Sequence, residues 1–272
     1  MLTVEVWVLS LLAVGILLLA ALAASRSFRR RLLAGEGVST WVTGSDVGLA
    51  LGLFLIELGV LGALAYAARQ QAVGTGWRLT GLRKLVLGIS PTVLAAVAIC
   101  VLARLRGRTP EQALGLASSR STRDAGYGLV AYLAAYPAVL AVLALWGRLF
   151  YEFDVTVQPQ EVTRTLLVPQ AWPEVAASVG IVVLVAPLLE EMVFRGFLLP
   201  AVSRRTGPAV AILLTAALFG LVHRPFFYAG PTFALGVLLG WLYWRTGRLW
   251  VSVGCHGAHN AVMVITSWLS PP

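Results

Sequence analysis

Long apolar segments separated by short polar stretches make up most of this 272-residue chain. About 20 mostly apolar helical residues are needed to cross the roughly 30 Å hydrocarbon core of a bilayer. By that measure we predict about eight spans, at residues 5–24, 46–67, 85–103, 125–147, 175–199, 207–223, 226–244 and 249–268. The segments are too long for barrel strands and lack their two-residue alternation. Because a spanning backbone must satisfy its own hydrogen bonds, the pattern predicts an all-α, polytopic transmembrane helical bundle.

A polar, proline-containing stretch between residues 151 and 173 interrupts this pattern. It divides the chain into an N-terminal membrane region of four predicted helices, residues 1–150, and a C-terminal helical core, residues 172–268, which contains the candidate chemistry. Since the spans follow one another closely, we predict that both parts form a single integral membrane unit. The first apolar run lacks a preceding basic region, so we expect a retained helix rather than a cleaved signal peptide.

The composition agrees with a membrane protein. Hydrophobic residues make up 58% and charged residues 12% of the chain, against about 45–50% and about 25% in soluble domains. The formal net charge of +9 comes mostly from arginines between the apolar segments, as in loops at the cytoplasmic face. We therefore expect the lipid bilayer as a partner and no nucleic acid. Cys100 and Cys255 form neither a disulfide framework nor a spaced zinc motif.

The arginines also predict the topology of the bundle. The odd-numbered loops are basic, which places them inside and both termini outside. Their basic residues are Arg26, Arg29, Arg30, Arg31, Arg104, Arg106, Arg108, Arg120, Arg123, Arg204, Arg205, Arg245 and Arg248. The fourth loop is acidic and agrees with this orientation, whereas the second loop is basic and disagrees.

Two adjacent carboxylates, Glu190 and Glu191, interrupt the fifth predicted span. Each costs about 2.5–3.5 kcal/mol near the middle of a membrane helix, so such residues indicate a functional site. Arg195 lies four residues after Glu191, and this spacing predicts an ion pair on one helix face. Glu190 points about 100° away and stays available for chemistry. Pro187 removes a backbone donor just before the pair and favours a kink.

A structural role is the alternative for these charges. Glu191 and Arg195 suit a buried salt bridge that locks helix packing, but this pairing does not account for Glu190. Glu57, in the second predicted span, is a lone carboxylate without a partner nearby in sequence. A structural and a functional role fit Glu57 equally well.

All three histidines lie after the paired glutamates. His223 closes the sixth predicted span, and His256 lies in the eighth, with Asn260 one turn later on the same face. A single histidine on an apolar helix is more often a core residue than a ligand. Histidines on two helices, in a chain that also buries a glutamate pair, favour a site.

These residues are sufficient for peptide hydrolysis. A glutamate can deprotonate water as general base, and histidine and asparagine can donate hydrogen bonds to the developing oxyanion. Alternatively, Glu190, His223 and His256 are candidate ligands of a divalent metal such as zinc, whose catalytic shells leave one position open for water. The spacing does not decide between these mechanisms. The chain contains neither H-E-x-x-H nor G-x-S-x-G.

Three motifs resemble those of the CPBP intramembrane proteases, a family that includes the type II CAAX prenyl endopeptidases and bacteriocin self-immunity proteins. Glu190-Glu191-Met-Val-Phe-Arg195 resembles E-E-x-x-x-R, Phe219-Gly-Leu-Val-His223 resembles F-x-x-x-H, and His256-Gly-Ala-His-Asn260 resembles H-x-x-x-N. The resemblance covers about residues 172–268, the last third of the chain.

The resemblance implies a set of catalytic-site residues: Glu190, Glu191, Arg195, His223, His256 and Asn260. Glu190 would activate water together with His223. His256 and Asn260 would position water or stabilise the oxyanion, and the pair of Glu191 and Arg195 would support the site. His259 lies at a variable position of its motif and receives no role. The family name implies a metalloprotease, but a glutamate-based mechanism without a tightly bound metal also fits the family.

We therefore expect an intramembrane endopeptidase, in the plasma membrane of a prokaryote, that cleaves a membrane-associated substrate. The resemblance implies CAAX-type prenylated proteins as one substrate class. The alternative is a non-catalytic membrane scaffold, or a bacteriocin-immunity or regulatory protein, of the same fold. A third hypothesis is a transporter that relays protons or ions through Glu57, Glu190 and Glu191, although we find no inverted repeat in the sequence to support it.

The predicted depths of the site residues conflict with one another. With the odd-numbered loops inside, Glu190 and His256 lie at similar depth in the cytoplasmic half, whereas His223 lies near the outer end of its span. An active site needs all three to meet. We therefore expect either a tilted sixth helix or span boundaries that are wrong by about a turn.

Overall fold

The computed structural model describes residues 81–153, 171–223 and 226–269, together with isolated positions between 38 and 52 and residues 163 and 166. The described elements are helices, with no strand among them, which confirms the all-α prediction. The predicted spans at 5–24 and, apart from isolated positions, 46–67 lie outside the described residues, as do Glu57 and the cluster from Arg26 to Arg31.

Seven α-helices form the described part of the bundle, and we number them in chain order. They are α1 (Gly81–Leu105), α2 (Pro110–Leu114), α3 (Ser121–Glu152), α4 (Trp172–Thr206), α5 (Pro208–Val222), α6 (Ala229–Thr246) and α7 (Leu249–Leu269). A single 3₁₀ turn, Phe226–Tyr228, precedes α6. Each of the six predicted spans from residue 85 onward corresponds to one of these helices.

The lengths and compositions of these helices fit a multi-pass membrane protein. In the described part of the chain, α1, α3 and α4 are long and apolar enough to cross a membrane, and α5 is a shorter apolar helix. Large apolar side chains such as Leu94 and Val97 of α1 point outward, where lipid would cover them. The total of about eight spans stays a prediction.

Glycine turns bring several helix ends together at one end of the bundle. Gly207 and Gly247 have positive φ angles of 78° and 63° and end α4 and α6, so the chain reverses there into α5 and α7. The segment between α1 and α3 lies against the second turn, since the Leu249 N–H donates to the Gly115 carbonyl at 2.9 Å. Arg248 also pairs with the buried Asp124 at the start of α3, at 3.0 Å.

We call this side of the bundle the arginine-rich end. It carries Arg104, Arg106, Arg108, Arg120, Arg123, Arg204, Arg205, Arg245 and Arg248, all at or just beyond the ends of helices. The end where α3 finishes, α4 begins and His223 follows α5 is the opposite end.

Glycines set how closely the helices approach. A methyl group on Gly128 of α3 would overlap the backbone of Val251 and Cys255, so α3 and α7 touch backbone to backbone there. This contact joins α3, at the end of the predicted N-terminal region, to α7 of the predicted core, while the predicted domain division stays a prediction. Gly236 and Gly240 of α6, whose spacing predicts close helix packing, both face α5 of the same chain.

The contact between α3 and α7 predicts a specific destabilisation. Gly128→Ala should lower the thermal unfolding midpoint in detergent by several degrees, because overpacking of this kind costs about 1–3 kcal/mol. Gly126→Ala is the matched control on the same helix, where an added methyl group meets nothing within 4 Å. Equal midpoints for the two variants would contradict the described packing.

Candidate active site

The two glutamates lie in the middle of α4, a helix that switches between α-helical and π-helical hydrogen bonding four times along its length. The α-helical stretch Ala186–Glu191 lies between two π-helical stretches, Ile181–Val185 and Met192–Leu198. Pro187 lies within this stretch, close to its start. Short π-helical insertions occur frequently at functional sites, since they re-aim side chains and leave carbonyls without intrahelical partners.

Glu191 forms the buried ion pair that its spacing predicted. Its Oε1 atom lies 2.7 Å from Nη1 of Arg195, and the two side chains are 0% and 1% exposed. Nη2 of Arg195 donates to the Gly236 carbonyl of α6 at 3.1 Å. The guanidinium also lies 4.5 Å from the centre of the Phe219 ring of α5. A desolvated cation gains appreciable energy from such a ring, so Arg195 ties α4 to both α5 and α6.

His256 of α7 binds the same carboxylate oxygen. Its Nδ1 lies 3.0 Å from Glu191 Oε1. An ionised carboxylate only accepts hydrogen bonds, so we assign the proton of a neutral His256 to Nδ1. Its Nε2 then carries a lone pair and lies 3.9 Å from Oε2 of Glu190. Glu191 therefore fixes which nitrogen of His256 faces the second glutamate.

His223 approaches Glu190 from the end of α5. Its Nε2 lies 3.6 Å from Glu190 Oε2. Its Nδ1 lies 2.6 Å from the Phe219 carbonyl, which can only accept, so Nδ1 is the donor and Nε2 again carries a lone pair. The separate direction predicted for Glu190 is thus confirmed: it faces both histidines, whereas Glu191 faces Arg195 and His256.

Two carboxylate oxygens of this cluster, Oε2 of Glu190 and Oε2 of Glu191, are buried without a hydrogen-bond partner in the described part of the chain. Oε2 of Glu190 is the one that faces the two histidines, and the Glu190 side chain is 22% exposed. Two imidazole lone pairs point toward it, so three acceptors converge without a donor. A water molecule, a proton or a cation would complete this arrangement.

Asn260 lies on the same face of α7 as His256, as predicted, and also reaches α4. Its Nδ2 donates to the Val182 carbonyl, inside the first π-helical stretch, at 2.8 Å. Within the described residues it makes no hydrogen bond to Glu190 or Glu191. Gly257 packs directly on the carbonyl of Val183, which brings α7 close to this stretch.

His259 contacts a different helix from the other two histidines. Its Nδ1 lies 3.2 Å from the hydroxyl of Tyr132 on α3. This contact gives His259 a packing partner outside the glutamate cluster.

The structure corrects the predicted depths of the site residues. The fifth predicted span ended at residue 199, but α4 continues to Thr206. Glu190 lies 16 residues before Thr206, and His223 lies 15 residues after Pro208. At 1.5 Å per residue both are therefore roughly 23 Å along their helices from the Gly207 turn. They meet for this reason: the helix continues nearly two turns beyond residue 199, where the predicted span ended.

The predicted metal ligands show a mixed fit. Both histidines donate Nδ1–H to an acceptor and leave Nε2 free, which is the usual outer arrangement around metal-bound histidines. Two ligand atoms of a tetrahedral zinc ion lie about 3.3 Å apart. Oε2 of Glu190 lies slightly farther than this from Nε2 of His223 and Nε2 of His256, at 3.6 and 3.9 Å. Among the described residues, no group of three His, Cys, Asp or Glu side chains is placed to hold a metal ion. A metal stays a prediction.

The ion pair of Glu191 and Arg195 predicts a strong and separable stability effect. Arg195→Met should destabilise the protein by about 3 kcal/mol or more, because it leaves a buried carboxylate unpaired. Adding Glu191→Gln to Arg195→Met should restore part of the lost stability, since the unpaired carboxylate of Glu191 is then removed. Thermal unfolding in detergent measures both effects, with Arg205→Met, at the exposed end of α4, as control. A double variant whose loss of stability equals the sum of the losses in the two single variants would contradict the pairing.

Comparison with known proteins agrees with the motifs. Residues 172–262 match the family described as type II CAAX prenyl endopeptidase Rce1-like. "Putative membrane peptidase YdiL" of Bacillus subtilis (strain 168) is 31% identical over 116 residues, which cover 43% of this chain and 46% of that protein. "Uncharacterized protein YyaK" of the same organism is 26% identical over 156 residues, 53% of this chain and 47% of that protein.

The chain thus spans about half the length of the curated relatives it matches. No solved structure gives a significant match. All six predicted site residues fall inside the matched segment. The resemblance to the type II CAAX prenyl endopeptidases is therefore confirmed over residues 172–262 of this multi-pass membrane protein.

Proposed function

We propose that this protein is an intramembrane endopeptidase that hydrolyses a peptide bond of a membrane-associated substrate with water activated at Glu190. One observation carries the proposal: a buried carboxylate oxygen without a partner faces the lone pairs of His223 and His256. The similarity to a peptidase family supports it independently. Prenylated proteins of the CAAX type are the substrate class that the family description suggests.

In this mechanism Glu190 acts as the general base. It takes a proton from a water molecule held near His223, and the water oxygen forms a bond to the carbonyl carbon of the substrate. When the C–N bond breaks, the protonated Glu190 returns the proton to the leaving amine. The carboxylate thus ends the cycle in its starting state.

The oxyanion needs hydrogen-bond donors during this step. One N–H of the Asn260 amide is used by the Val182 carbonyl, and an amide group has a second N–H to donate. His256 would donate through Nε2 once that nitrogen carries a proton. Glu191 acts through His256, since its carboxylate holds the ring and stabilises the positive charge of a protonated imidazole, and Arg195 in turn fixes that carboxylate.

A metal-assisted version of the reaction would use the same residues. Glu190, His223 and His256 would hold a divalent ion such as zinc, which would polarise the substrate carbonyl and the water. Metal analysis of the purified protein separates the two versions. The metal-assisted version requires about one ion per chain, lost together with activity on chelation, whereas the glutamate-based version retains activity in chelator.

The proposed function predicts that Glu190→Gln abolishes proteolysis. Losing a general base costs about 10²–10⁴-fold in rate, while the amide keeps the size of the side chain. New peptide termini are compared in membranes from cells that express wild type, Glu190→Gln or Glu174→Gln at matched levels. Glu174 lies on the same helix, 16 residues earlier, and its variant should behave as wild type.

A non-catalytic scaffold is the second candidate function. The contacts of Arg195 and His256 join α4, α5, α6 and α7, and such a network stabilises a bundle whether or not it catalyses a reaction. If Glu190→Gln gives the same peptide termini as wild type and keeps the biological phenotype, the scaffold replaces the enzyme.

A further inference from the structure

We propose that Tyr132 and His259 form a second hydrogen-bonded pair of the site, in which Tyr132 fixes His259 so that its Nε2–H binds a main-chain carbonyl of the substrate. That carbonyl would belong to a peptide unit next to the scissile bond. The substrate part of this inference rests on the proposed function, whereas the state of the pair can be measured without it. Tyr132 lies outside residues 172–262, the segment that matches the family.

The packing of α3 against α7 places the two side chains opposite each other. Both helices begin at the arginine-rich end, so they run in the same direction. Gly128 touches the backbone of Cys255, and Tyr132 and His259 each lie four residues, about one turn, further along. There the two rings meet edge to face with their centroids 5.6 Å apart, and Nδ1 of His259 lies 3.2 Å from the Tyr132 hydroxyl.

The burial of Tyr132 indicates which atom donates in this pair. Tyr132 is 1% exposed, and its hydroxyl makes no other hydrogen bond among the described residues. If the hydroxyl accepted from Nδ1–H, its own proton would be buried without an acceptor, and buried orphan donors are rarer than under-satisfied oxygens. We therefore assign the hydroxyl as donor and Nδ1 as acceptor. A neutral His259 then carries its proton on Nε2.

Nε2 of His259 faces space that water can enter. It makes no hydrogen bond within the described residues, yet it is not among the side-chain atoms there that are buried without a partner. His259 lies deep in the bundle, within electrostatic reach of His223 and His256, and still keeps part of its surface accessible. Glu190 and His223 are likewise 22% and 26% exposed. The accessible surfaces of these residues therefore fit a single water-containing cavity around Glu190.

The position of His259 along α7 suits a carbonyl beside the reacting one. His259 follows His256 by three residues, which is about 4.5 Å along the helix axis and about 60° around it. Successive residues of an extended peptide lie about 3.3 Å apart, so a scissile bond held between Glu190 and His256 would bring a neighbouring peptide unit to His259. A hydrogen bond to the main chain does not depend on substrate side chains, so the pair would fix the register of the peptide rather than select its sequence.

Nitrogen-15 NMR of histidine-labelled protein in detergent at neutral pH tests the pair directly, because the chain contains only three histidines. The signals of His259 are assigned by their loss in His259→Gln. We expect an unprotonated Nδ1 and a protonated Nε2 in this ring. Tyr132→Phe should move the Nδ1 resonance toward that of a free, unprotonated nitrogen, and Tyr136→Phe, which keeps the Tyr132 hydroxyl, should leave it in place. A proton on Nδ1 of the wild-type ring overturns the proposal.

Kinetics test the substrate role, with a synthetic peptide copied from a cleavage site that the comparison of peptide termini identifies. His259→Phe keeps a ring that packs on Tyr132 but loses the donor, whereas His259→Gln keeps an N–H near the position of Nε2 and loses the ring. We expect His259→Phe to raise KM about 3- to 10-fold, the effect of one neutral hydrogen bond, with kcat within about twofold of wild type. His259→Gln should keep KM within about twofold. An unchanged KM in His259→Phe, or a larger rise in His259→Gln, overturns the substrate role.

The two measurements separate this proposal from the proposed function. If wild type and Glu190→Gln give the same peptide termini, the proposed function fails and the substrate role of His259 fails with it, while the NMR result still decides the hydrogen-bonded pair. If Glu190→Gln loses proteolysis but His259→Phe keeps the wild-type KM, the endopeptidase stands and only this inference is overturned.

Discussion

One carboxylate oxygen, Oε1 of Glu191, organises the described half of this bundle. It accepts from Arg195 and from His256 while its side chain is fully buried. An uncompensated charge in such a place costs several kcal/mol, so losing either donor should destabilise the bundle strongly. Arg195 in turn needs the Gly236 carbonyl and the Phe219 ring. Four helices are therefore fixed relative to one another by one ion pair.

The same ion pair separates two neighbouring glutamates that have identical chemistry. Glu191 is held by charged and hydrogen-bonded partners, and it fixes the proton of His256 on Nδ1. Glu190, about 100° around the helix, faces only the unprotonated Nε2 atoms of His256 and His223. The adjacent residues thus take different roles because their neighbours differ: one holds the site together, and the other is left for chemistry.

Local patterns in the sequence were enough to predict the helices after residue 81, the pair of Glu191 and Arg195, and the separate direction of Glu190, since each depends on helical spacing alone. The motifs led us to expect that His223 meets Glu190, but not how the two reach the same depth, because α4 continues past the predicted end of the span at residue 199 to Thr206. Backbone partners such as the carbonyls of Val182 and Gly236 carry no signal in the side-chain sequence. Phe219 was in a recognised motif, but its role as the ring beneath Arg195 required the structure.

The central claim is that water activated at Glu190 becomes part of the product. The most direct measurement incubates wild-type and Glu190→Gln membranes in oxygen-18 water and follows the new C-termini by mass spectrometry. We predict that wild type gives product peptides with one heavy oxygen in the new carboxylate, and that Glu190→Gln gives no such peptides. Labelled products formed at equal rates by both proteins would contradict the account.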